Sequence, residues 1–97
     1  MNNQVNIGTV HIFDHVEPNK EQALKPLEEA AEVFASWQLW NEIKDQPLSI
    51  FYNQSELLDE CADVIQAVCN LAAALGVQDL TPYMQACEER NRERGRL

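Results

Sequence analysis

The chain has 97 residues with 16 acidic and seven basic side chains, a net charge of −9 and an apolar content of 45%. That length supports one domain with a small core, and association with a second copy would enlarge that core. The acidic balance argues against long nucleic acid as a partner, because binding to a phosphate backbone draws most of its affinity from basic surfaces. No run approaches the ~18 apolar residues of a membrane span. Met1-Asn2-Asn3-Gln4 lacks the basic-then-apolar order of a signal peptide, so a cytoplasmic protein without membrane association is expected. Cys61, Cys69 and Cys87 form an odd set with no CxxC spacing and read as free thiols rather than disulfides or a zinc site.

Residues 1–20 show little helical period and read as an irregular arm. A short extended piece over Val5–Phe13 and a loop through Pro18 and Asn19 are compatible with the pattern. His11 and His15 are four apart, but nothing around them favours a helix, so they read as ordinary loop histidines. The first helix is expected from about Glu21, or from Pro26 if that proline occupies the first turn, to about Lys44. Leu24, Leu27, Ala31, Phe34 and Gln38 fall on one of its sides and Glu28, Glu29 and Glu32 on another. Continued forward, the carboxylate stripe meets Ser36, Leu39 and Ile43, so the acidic face is expected to turn into a groove or bundle interior. Trp37 and Trp40 read as core or dimer contacts, and Lys25 as an ion-pair partner of Glu28 or Glu29.

Gln46-Pro47-Leu48-Ser49 interrupts the pattern, and Ile50 with Phe51 suits a plug at the bundle end. Asn53 with Glu56 resembles a capping box for a second helix, Gln54 to Leu75, stopped by Gly76. Its apolar stripe is Leu57, Cys61, Val64, Ile65, Val68, Ala72 and Leu75, with Glu56, Glu60 and Asp63 along the edge. A third helix follows, capped by Asp79 or Thr81, with Pro82 in its first turn and Gly95 at its end. The expected architecture is therefore a single all-α domain. Two long antiparallel helices and a shorter C-terminal one follow the arm, and dimerisation would complete a four-helix core.

Residues three and four apart share a helix face. Glu29 with Glu32, and Glu60 with Asp63, can therefore converge from two helices on one point. Clustered carboxylates repel one another and raise each other's pKa values. Oxygen-only donors favour Mg²⁺, Mn²⁺ or Ca²⁺ over zinc. The bland alternative, an exposed acidic face, is common, but two such sets with few lysines at i+4 favour a metal. A ferritin-like di-iron site would need a Glu-x-x-His motif, and neither histidine lies on the acidic helices. Four of the seven cations, Arg90, Arg92, Arg94 and Arg96, crowd the last eight positions and suit the free oxygens of a small anion carried by a metal.

Glu28-Glu29-x-x-Glu32, 27 intervening residues and Glu60-x-x-Asp63 resemble the EExxE...ExxD signature of the MazG-type all-α nucleoside triphosphate pyrophosphohydrolases. Arg90-Asn91-x-x-Arg94-Gly95 is similar to the basic-Asn-x-x-Arg pattern of that superfamily, and the resemblance spans roughly residues 24–96. It implies that Glu29, Glu32, Glu60 and Asp63 hold Mg²⁺, and that Glu28 serves a second metal or the attacking water. It further implies that Asn91 and Arg94 contact phosphate. Arg90 stands where lysine is common in the family, which keeps the charge but alters the geometry. The implied activity is hydrolysis of a nucleoside triphosphate, a deoxynucleotide by preference, between its α and β phosphates, by a homodimer or homotetramer. The competing reading is a non-catalytic helical interaction module with a structural or vestigial metal site.

Overall fold

The computed structural model describes residues 3–47 and 54–97. The capping box at Asn53 and the proposed plug at Ile50 and Phe51 lie outside the described residues. Within them the chain is all-helical: α1 is Lys20–Ile43, α2 is Gln54–Ala74 and α3 is Thr81–Glu93. The arm before α1 contains no strand among its described residues. No helix among the described residues is long and apolar enough to cross a membrane.

Each boundary has a local cause. Asn19, in extended backbone, accepts a hydrogen bond on Oδ1 from the Gln22 amide at 2.9 Å, which satisfies one of the orphan donors of the first turn of α1. Pro26 lies inside α1, not at its start. Its ring nitrogen has no hydrogen to give the Gln22 carbonyl, so the helix runs through the proline with one ladder bond missing. Helix α2 closes on Gly76 at φ 83°, with Gly76 N–H donating to the Ala73 carbonyl and Val77 N–H to that of Ala72, both at 2.9 Å. That pairing is the Schellman motif, which needs a left-handed residue at its bend. The Gly95 end of α3 repeats it, with Arg96 N–H donating to the Asn91 carbonyl. At the start of α3 the cap position holds Leu80, and Asp79 does the capping by accepting from the Thr81 amide at 2.9 Å. Hydrogen bonding to the Thr81 side chain, and then to its amide, holds the Asp79 carboxyl below its usual range.

Helices α1 and α2 pack on each other, running antiparallel, whereas α3 packs on neither. The stripe of α1 that faces α2 is Pro26, Glu29, Val33, Ser36, Trp40 and Ile43, all half-buried or buried at alternating spacings of three and four. Of the residues expected to continue the inward face, Ser36 and Ile43 lie in this stripe and Leu39 is exposed. Leu24, Leu27 and Phe34 lie on the opposite side, with Leu27 68% and Phe34 60% exposed, and Phe34 stacks on Trp37 at 6.1 Å. Of the three acids expected to turn inward only Glu29 lies on the half-buried stripe, and Glu28 and Glu32 are exposed. In α2, Ala67 is 7% exposed and Asn70 3%, which makes them the tightest point of the fold.

The arm is tied to that point. Asn70 Oδ1 accepts from the Phe13 amide at 3.2 Å and from Gln66 Nε2 at 3.0 Å, and Gln66 Nε2 also donates to the His11 carbonyl at 2.8 Å. These bonds link residues 55 to 57 positions apart and hold the arm against α2.

Candidate metal centre

Glu29 comes from the third turn of α1, and Glu60 and Asp63 from one face of α2. Each of the three offers a carboxylate oxygen, and those oxygens all lie within 4.8 Å of one another. Oxygens bound across a single divalent ion at ~2.1–2.4 Å are at most ~4.2–4.8 Å apart. The spacing therefore admits a shared cation with little movement. Glu29 and Glu60 are half-buried and Asp63 is exposed, so the group opens to solvent on one side.

Its electrostatics are strained in the metal-free chain. Burial is the first cause that pushes the Glu29 carboxyl above the usual carboxylate range, followed by repulsion from Glu32 and hydrogen bonding to it. Glu60 is raised by burial as well, then by repulsion from Glu32 and Asp63. Glu32, itself exposed, thus adjoins both and belongs to the same group. Among the described residues no lysine or arginine pairs with any of the four. Glu60 Oε2 is buried and has no hydrogen-bond partner. A buried carboxylate oxygen without a donor is costly, and a divalent cation is the group that the donor set fits.

Glu28 stands apart from this group. Its carboxylate pairs with Lys25 Nζ at 3.2 Å, with both side chains more than half exposed. The ion pair expected for Lys25 is therefore present, and Glu28 is directed to it. Arg90 and Asn91 lie on α3 and Arg94 caps its end; α3 does not pack on α1 or α2, so a single chain does not bring them to the carboxylates. The Asn91 side chain is used locally, accepting from Arg96 Nη1 at 3.0 Å and donating to Cys87 Sγ at 3.6 Å. The three cysteines are free thiols, half-buried rather than buried.

Beside the carboxylates lies a cavity of about 540 Å³, with Glu29 and Asp63 in its wall. The rest of the lining includes Phe13 and His15 of the arm, Gln22 of α1, and Gln66 and Asn70 of α2. Sequence reasoning left these residues without a role. The available signal was the pair Gln66 and Asn70, two amides four apart that interrupt an otherwise apolar helix. Comparison of the chain with family models, with curated proteins and with solved structures finds no match.

Proposed function

We propose that the protein is a Mg²⁺-dependent nucleoside triphosphate pyrophosphohydrolase, releasing a nucleoside monophosphate and pyrophosphate. The observation that carries this reading is the convergence of Glu29, Glu60 and Asp63 from two helices with the Glu60 Oε2 atom buried and unpartnered. Glu29, Glu60 and Asp63 would hold the ion, with Glu32 beside them. When bound there, a divalent ion neutralises crowded phosphate oxygen charge and aligns the scissile bond. Without it the four acids would repel a triphosphate, so the chain's own side chains make binding conditional on the cation. Glu28, apart from the group and paired with Lys25, is the candidate for orienting the attacking water. Arg90 and Arg94 supply positive charge for the departing pyrophosphate, and Asn91 an amide. Because α3 stands off the long helices, these groups would come from a partner copy in a homodimer, and such a dimer would complete the four-helix core.

Pyrophosphate release from each deoxynucleoside triphosphate, with Mg²⁺ and with EDTA, tests the reading. Turnover is expected with at least one nucleotide and none in EDTA. Glu60→Gln and Asp63→Asn are each expected to lower kcat/KM at least about a hundredfold with the fold retained. Absence of release from every nucleotide would sink the proposal. A structural metal site differs on a second readout: metal removal would unfold the protein rather than only silence it.

A further inference from the structure

The cavity beside the carboxylates has features that the acidic group alone does not explain. Its volume of about 540 Å³ lies within the ~300–1,000 Å³ of small-ligand sites. It shares Glu29 and Asp63 with the candidate metal centre, so a ligand whose phosphates sit on that centre extends into it. Besides its acids and Lys25, the lining combines one aromatic ring, Phe13, with the His15 imidazole and four amide side chains, Asn19, Gln22, Gln66 and Asn70. That combination suits a flat, aromatic ligand with a hydrogen-bonding edge, and suits a second anionic group poorly because Glu17 and Glu21 also face the cavity.

The arm that forms this wall is held in register. Asn70, 3% exposed, accepts the Phe13 amide, and Gln66 donates to the His11 carbonyl. Both Asn70 bonds use Oδ1, so its Nδ2 takes no part in holding the arm. On the α1 side, Pro26 withholds the helical N–H from the carbonyl of Gln22, another lining residue. Phe13 remains 62% exposed although its backbone is fixed, which leaves a ring face available for stacking. Stacking of a base on an aromatic side chain tolerates any base, so selectivity would rest on the polar groups opposite.

We propose that this cavity is the nucleoside subsite, with the base stacked on Phe13 and its edge read by His15, Gln22 and Asn70. The inference rests on the nucleotide reading of the carboxylate site and adds to it the residues that choose the base. The N-terminal arm is then part of the binding site and not a tail.

The test uses the full chain, labelled with ¹⁵N and titrated with each of the four deoxynucleoside monophosphates in Mg²⁺. At least one is expected to move the amide resonances of Phe13, His15 and Asn70. Phe13→Ala, at an exposed side chain, is expected to weaken that binding at least tenfold while Mn²⁺ affinity, read by paramagnetic resonance, stays within twofold. Nucleotide binding that leaves those resonances still, equal affinity in Phe13→Ala, or no nucleotide binding at all would each overturn the subsite. Pyrophosphate release is scored separately. Release with a neutral Phe13→Ala removes the subsite and keeps the hydrolase, and binding at the arm without release does the reverse.

Discussion

Glu29 and Glu60 are both raised above an ordinary carboxylate by burial and neighbouring acids, and their behaviour with pH follows from that shift. Both are raised in the folded, metal-free chain, whereas the unfolded chain titrates near ~4.3. Between those values the folded state holds protons that the unfolded state has released. Unfolding free energy therefore falls as pH rises through that window. The metal-free protein is expected to melt at higher temperature at the acidic end of it than at pH 7. A divalent ion competes for the same oxygens, so its affinity should strengthen as pH rises. At Mn²⁺ a hundredfold above Kd the stabilisation is ~2.7 kcal/mol, on the order of 10 °C or more for a domain of this size. Melting curves in EDTA and in Mn²⁺ at pH 5 and pH 7 check both signs. Glu60→Gln should remove most of the Mn²⁺ shift and flatten the EDTA series. The carboxylates were legible in sequence because helical spacing alone brings Glu29 beside Glu32 and Glu60 beside Asp63. Phe13 and His15 were not, because they reach the site through arm bonds that no periodicity encodes.

At the scale of elements, the ends at Gly76 and Gly95 were read from chemistry that acts over four or five residues, whereas Asn19, read as part of a loop, is the cap that starts α1 at Lys20. Gly76 has open space where a side chain would go, so Gly76→Ala meets only the cost of the left-handed bend. A loss of roughly 1–2 kcal/mol in urea unfolding is expected. The orientation of α1 was harder to read, because it carries apolar residues on opposite sides: Pro26, Val33, Trp40 and Ile43 on one, Leu24, Leu27 and Phe34 on the other. Either stripe satisfies a helical period, and only the partner helix decides which turns inward. The arm is tied to α2 through Gln66 and Asn70. Asn70→Ala would leave the Phe13 amide without its acceptor at a buried site, a loss of about 1–3 kcal/mol. Hydrogen exchange should then show the Phe13 amide losing protection while amides at the centre of α1 keep theirs. Equal protection in the variant would mean that the arm is held by something other than this bond.

For the whole molecule, surface area points beyond one chain. A compact protein of 11.1 kDa exposes about 5,600–5,700 Å², against 8004 Å² here. The radius of gyration, 16.2 Å, likewise exceeds the ~12.5 Å expected of 97 compact residues. The excess of roughly 2,300 Å² per chain goes with the arm and α3, which stand open, and with exposed apolar side chains on the long helices: Leu24, Leu27, Phe34 and Trp37 of α1, and Leu58, Val68 and Leu75 of α2. Those apolar side chains are a liability in water unless they are covered, and a second copy offers the same stripes in return, which is the self-complementary geometry of a two-fold dimer. Light scattering at micromolar concentration should give at least twice the 11.1 kDa chain mass. Leu27→Glu with Phe34→Glu, two charges on the outer stripe of α1 and away from Glu29, should shift that mass to a monomer. The same variant should lose pyrophosphate release along with the dimer, because Arg90, Asn91 and Arg94 have no route to the carboxylates of their own chain. A fully active monomer would show that α3 swings onto its own long helices instead.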